Sequence, residues 1–222
     1  MTSAVSLVLA LLVVDLPLTV GKLTTGATQV ELRNTGTQPI NAWAFAISSP
    51  NASGGIHRVF HSSDVYLSEV TGGLQGAEPH LRLLQPGDSR TVPVDPLPAG
   101  ASVQVVAVVL ADNTALGDDQ TIASFFEKRV AERDGLKQVV DVFNAALQSL
   151  RGMAALQDLK RRFAGGEGAA ESVPHRSARL AVDAWLQRSG ANDDDVDRSL
   201  RTYADFVKKQ YEAAAKHATR KS

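Results

Sequence analysis

Residues 28–48 read TQVELRNTGTQPINAWAFAIS, two apolar-alternating runs either side of the turn NTGTQP. Period-two alternation of this kind predicts two antiparallel strands. In the second run Trp43, Phe45 and Ile47 form one face. The other face holds Ala42, Ala44 and Ala46, where a strand open to water would carry polar side chains. Small apolar side chains there leave a shallow floor on which another element can lie close.

Outward from this stretch, period-two patterning runs from about residue 17 to 113 and predicts strands at Leu18–Thr24, Thr28–Arg33, Ile40–Ser48, Ile56–His61, Leu81–Leu84, Arg90–Val94 and Ser102–Ala111. The connections NTGTQP, SPNASGG, TGGLQGAEP, QPGD and DPLPAG are rich in residues that preset or relax the backbone angles. Pro93 lacks a donor and marks its strand as an edge. The whole reads as an antiparallel β-sandwich of the immunoglobulin-like kind over 17–116, with the Trp43 strand beside SVQVVAVVLA (102–111). Strict alternation in that later strand turns Val103, Val105, Ala107 and Val109 inward. It leaves Gln104, Val106, Val108 and Leu110 outward. Two neighbouring strands are then apolar on both sides, a liability if left in water.

The period changes after Asp112. Gly117-Asp118-Asp119 offers a helix N-cap with acid at the positive end of the dipole. Ile122, Phe125, Phe126, Val130, Leu136, Val139, Val140, Phe143, Leu147 and Leu150 then recur at three- and four-residue steps. This predicts a long helix over 118–163, continuous or broken near Gly135, that covers the outer face of the sheet. A mobile glycine-rich loop is expected at 164–176, followed by helices at 177–188 (presenting Ala181, Ala184 and Trp185) and 193–217 (presenting Val196, Leu200, Tyr203, Val207, Tyr211 and Ala214). The fold class expected is therefore α+β: the sandwich, then amphipathic helices of the 117–222 region packed on or beside it.

VELRNTGTQPI, then LQPGDSRTVPV, then PAGASVQVVAVVLADN resemble bacterial surface domains of the immunoglobulin-like and CARDB-like type over about 28–113. The resemblance implies an exported interaction or spacer module without catalytic residues. It departs at the end, where a helix follows instead of a last strand, which predicts a sheet incomplete on that edge.

Composition excludes several classes. Residues 15–117 carry 5 basic and 8 acidic side chains and residues 118–222 carry 18 and 16, so neither half has the basic field that nucleic acid requires. The absence of cysteine removes disulfides, thiolate chemistry and Cys-ligated metal. The apolar run Ala4–Val14 in residues 1–16 spans about 16 Å as a helix, half of a ~30 Å hydrocarbon core. It suits the hydrophobic region of a signal peptide, although no Lys or Arg precedes it; the competing reading is a buried strand or docked helix. The expected location is extracytoplasmic, periplasmic or secreted.

His57 and His61 in HRVFHSSD are the candidate metal ligands, with Asp64 and His80 as further donors, against a reading as surface histidines. Asp193, Asp195 and Asp197 have the alternate spacing of a calcium loop, but Arg198 and Ala204 replace its glycine and its bidentate acid, so a helix N-terminus is preferred. DNTALGDD at 112–119 reads as a turn and cap. GGEG at 165–168 follows a helix, the wrong context for phosphate. The basic tail KKQYEAAAKHATRKS suits a helix C-terminus more than a membrane surface. No catalytic residue and no cofactor is predicted. The function expected is a non-enzymatic exported interaction or structural module with a protein partner. The alternatives are a metal-dependent binder or enzyme using His57 and His61, and a regulatory subunit that binds through its C-terminal helices.

Overall fold

The computed structural model describes residues 15–51, 53–71, 82–164, 172–188 and 192–221. Seven strands run in the order β1 (Leu18–Val20), β2 (Gln29–Asn34), β3 (Ile40–Pro50), β4 (Ile56–Asp64), β5 (Ser89–Pro93), β6 (Ser102–Leu110) and β7 (Ala115–Gly117), with one helical turn, α1 (Ser68–Thr71), after β4. Four longer helices follow: α2 (Asp119–Leu147), α3 (Gly152–Ala164), α4 (Val173–Leu186) and α5 (Asp193–His217). The protein is α+β, with antiparallel sheets ordered β1-β2-β5 and β4-β3-β6-β7.

The two sheets enclose one apolar core. Val30 and Leu32 of β2 meet Trp43, Phe45 and Ile47 of β3 and Val108 and Leu110 of β6. The Asn-x-Gly turn closes this layer: buried Asn34 donates through Nδ2 to the Gln38 and Leu84 carbonyls at 2.9 Å each and accepts from the Gly36 amide. Pro93 lies on β5, an edge strand, as its missing donor requires. The segment expected as a strand at 81–84 contributes a single bridge, Leu84 to Ile40, and Leu81 lies outside the described residues.

The alanine face is covered. Ala42, Ala44, Ala107, Val109 and Ala115 pack against Ile122, Phe125 and Phe126 at the start of α2. Strict alternation misplaces half of β6. Ala44 pairs with Ala107 but Phe45 pairs with Val105, so Val106 is an extra residue that inverts everything after it. Val103 and Val105 face the sandwich as expected, but so do Val108 and Leu110, while Ala107 and Val109 turn to the helix. A second irregularity, between Ile40 and Ala42, does the same to β3 at Asn41. The edge expected to be incomplete carries β7, whose Gly117 (φ 114°) leaves room for the Val106 carbonyl that a Cβ would overlap.

Asp118 caps α2 through the Thr121 amide at 2.8 Å, and the helix passes Gly135 unbroken. Gly135 serves packing instead, since its missing Cβ admits Ser172 and Pro174. The break falls at Gly152 (φ 53°), where a new helix starts and Asp193 presses close. The helix expected at 177–188 begins at Val173, because Ser172 caps it and Pro174 suits its first turn; residues 165–171 lie outside the described residues. Its buried side chains are Ala178 and Val182, one step round from the expected Ala181 and Ala184 face. α2 thus serves two cores. Its first turns seal the sheet, and Leu136, Val139 and Phe143 meet Leu156, Leu159, Val182, Leu200 and Val207 of the other helices.

Candidate functional site

Where α2 crosses the sheet, Arg129 occupies the apolar stripe and is wholly buried. Its Nε and Nη2 donate to the two Asp64 carboxylate oxygens at 2.8 Å each, and Nη2 also reaches Asn41 Oδ1 at 2.9 Å. Nη1 donates to the His217 carbonyl at 3.4 Å. The Tyr66 and Phe126 rings flank the guanidinium at 4.7 and 5.2 Å. The irregularity at Asn41 aims that carboxamide to the helix side, a common use of a bulge. Tyr66 donates its hydroxyl proton to Glu132 Oε2 at 2.6 Å. Burial, then the Glu132 carboxylate, pushes this phenol far above its ordinary range, so it stays protonated. Cation and phenol alike are committed to neighbours. The cluster joins β3, β4, α2 and α5.

A second set of contacts fixes the end of α5. Asn113, at φ 72°, donates through Nδ2 to the Lys216 carbonyl at 2.9 Å, and its Oδ1 lies 2.7 Å from His217 Nδ1. Lys221 pairs with Thr114 as a bridge and with the Asp112 carboxylate at 2.8 Å, while Arg220 reaches Asp119 at 3.1 Å. The Lys221 ammonium and the Thr114 amide hold the Asp112 carboxyl down at about 2. DNTALGDD is therefore turn, cap and docking site for the tail, and Arg220 and Lys221 point to carboxylates of the same chain.

The candidate ligands His57 and His61 lie on β4, which pairs with β3 through nine consecutive residues without a shift. Both share the face of Val59, and the His61 ring stacks on Phe45 with centroids 5.0 Å apart. Four residues along a strand separate their backbones by about 13 Å, and a metal–imidazole bond is only about 2 Å. The strand thus holds the two rings apart. Asp64 is engaged by Arg129 on the opposite face, and His80 lies outside the described residues. Among the described residues no three His, Asp or Glu side chains gather closely enough to hold a metal ion. The 193–197 aspartates begin α5: Asp193 accepts from the Met153 amide, Asp195 pairs with Arg198 and Asp197 with Arg201. GGEG at 165–168 lies outside the described residues.

What β4 offers is apolar surface. Ile56 is 77 %, Phe60 57 % and Val59 40 % exposed, and the Arg58 guanidinium lies over the Phe60 ring at 4.9 Å. The sequence marks these residues as a strand. That the strand forms the outer edge of its sheet depends on pairings made far along the chain, and no local signal carries it. No protein-family model, curated protein or solved structure matches the chain.

Proposed function

We propose that this chain is a non-enzymatic interaction module that works through protein contacts made by β4. The supporting observation is the contrast just drawn: Ile56, Val59 and Phe60 stand exposed on one strand, while Arg129, Asp64 and Tyr66 close by are spent on holding the layers together. The β half is read as immunoglobulin-like. Its sheet orders and the buried Trp43 on the third strand support that reading. Export is part of the proposal and rests on the Ala4–Val14 run. A second reading places the partner on the helices, because Val173 (71 % exposed) and Leu180 (56 % exposed) stand seven residues apart on α4.

A photo-cross-linking residue at position 60, 180 or 31 of the full chain separates these readings in the native cell. Position 31 lies on the exposed face of β2 and serves as the control. A discrete protein adduct from position 60 alone supports β4 as the contact surface. An adduct from 180 alone transfers the function to the helices, and none from either removes the proposal.

A further inference from the structure

We infer that β4 receives an extended, acidic and apolar segment of a partner as an additional strand of its sheet, a reading that rests on the function proposed above. Four strands are sheet edges, and three are blunted. β1 and β7 are three residues long, and β5 ends in Pro93. β4 has nine residues, no proline and an unbroken register with β3. Among the described residues no strand pairs with its outer side. An edge of that length presents a row of backbone donors and acceptors ready for another chain, which proteins ordinarily suppress with bulges, prolines or brevity.

Charge selects the occupant. From Asn51 to Ser63 the chain has no carboxylate, while His57, Arg58 and His61 line the strand. Asp64 is bound to Arg129, and Asp118, the cap of α2, is held low first by its hydrogen bonds from Thr121 and only last by the Arg58 charge. A second copy placed antiparallel on this edge would set the same basic side chains against one another, so an acidic strand fits better. The required pattern follows residue by residue. Ile56, Arg58 and Phe60 lie on the helix side, and His57, Val59 and His61 on the sandwich side. An antiparallel strand running opposite His61 back to Ile56 needs acid, apolar, apolar, acid, acid, apolar.

The probe is therefore the blocked peptide Gly-Glu-Val-Val-Glu-Glu-Val-Gly, titrated into the full-length chain at low salt and followed by amide NMR and hydrogen exchange. Amides of residues 56–64 should shift and gain protection. N-methylation of alternate peptide residues should abolish binding in one phase and spare it in the other, because a strand uses only every second N–H towards its neighbour. Arg58→Glu should weaken the acidic peptide about tenfold and improve a peptide with Lys in place of Glu. Salt at about 0.5 M should weaken the wild-type complex.

The inference falls if neither N-methyl phase matters, if the Lys peptide binds as well as the Glu peptide, or if β4 amides stay unprotected. It also falls if the chain instead dimerises through β4, with self-association lost in Phe60→Ser. In any of these cases a discrete partner adduct from position 60 would still uphold the contact surface and retire only strand addition and its charge rule.

Discussion

At the scale of single residues, the most consequential side chain is Arg129. A guanidinium without exposure survives in an apolar stripe because Asp64 supplies both oxygens, Asn41 and the His217 carbonyl take further protons, and two rings fill its faces. Arg129→Met should lower the unfolding free energy by about 3–5 kcal/mol, because it strands a carboxylate beside the sheet. Adding Asp64→Leu should recover most of that loss, which urea titration of the single and double variants will show. Equal loss in both would mean that packing, and not the ion pair, sets the cost. The sequence placed Arg129 at the right step after Ile122, Phe125 and Phe126, but a charged side chain on a stripe reads as its solvated margin. Only the partner 65 residues earlier explains the burial. His57 and His61 show the opposite limit: the strand that separates them was legible from the alternation, and what was not is the stacking of His61 on Phe45.

Among the elements, β6 and β7 depend on one another. The Val106 carbonyl accepts from the Asp118 amide at 2.8 Å, and Gly117 makes room for it at a backbone angle other residues avoid. Gly117→Ala should therefore cost about 1–3 kcal/mol or more and free the start of α2, visible as faster amide exchange at residues 118–122. The tail contact has its own pH signature. The Asp112 carboxyl is held at about 2, below its ordinary value, so the contact with Lys221 contributes stability above about pH 4 and loses it as pH falls towards 2. Asp112→Asn should remove this part of the acid sensitivity, measured as protection of the 216–221 amides across that range. Strand and helix identities were legible because Trp43, Phe45 and Ile47 alternate and Ile122 to Phe143 recur at helical steps. The inversion at Val106 was not. With Val-Val-Ala-Val-Val apolar on both faces, either frame satisfies the pattern, and only the pairing with β3 chooses.

For the whole molecule, α2 at 29 residues is about 44 Å long. It seals the sheet with one end and organises the helices with the other. Truncation after Leu116 should leave Ala42, Ala44, Ala107 and Val109 open to water and yield a self-associating fragment. Sedimentation checks this, and a monomeric, soluble fragment would show that the sheet does not need its cover. The third layer was legible from the alanine face followed by an amphipathic segment. The β4 edge was not, because its exposure is decided by a strand order that joins residues 40–64 to 102–117.

The irregularity at Val106 also bears on how this chain tolerates insertions and deletions. One supernumerary residue decides whether alanine or bulky aliphatics meet the phenylalanines of α2. Removing Val106 would leave the observed faces in plain alternation, with Val105, Val108 and Leu110 on the sandwich and Ala107 and Val109 on the helix. Inserting a residue between Ala107 and Val108 would instead turn Val108 and Leu110 to where the helix needs a low floor. Loss of this one residue from β6 should therefore be forgiven far more readily than the gain of another.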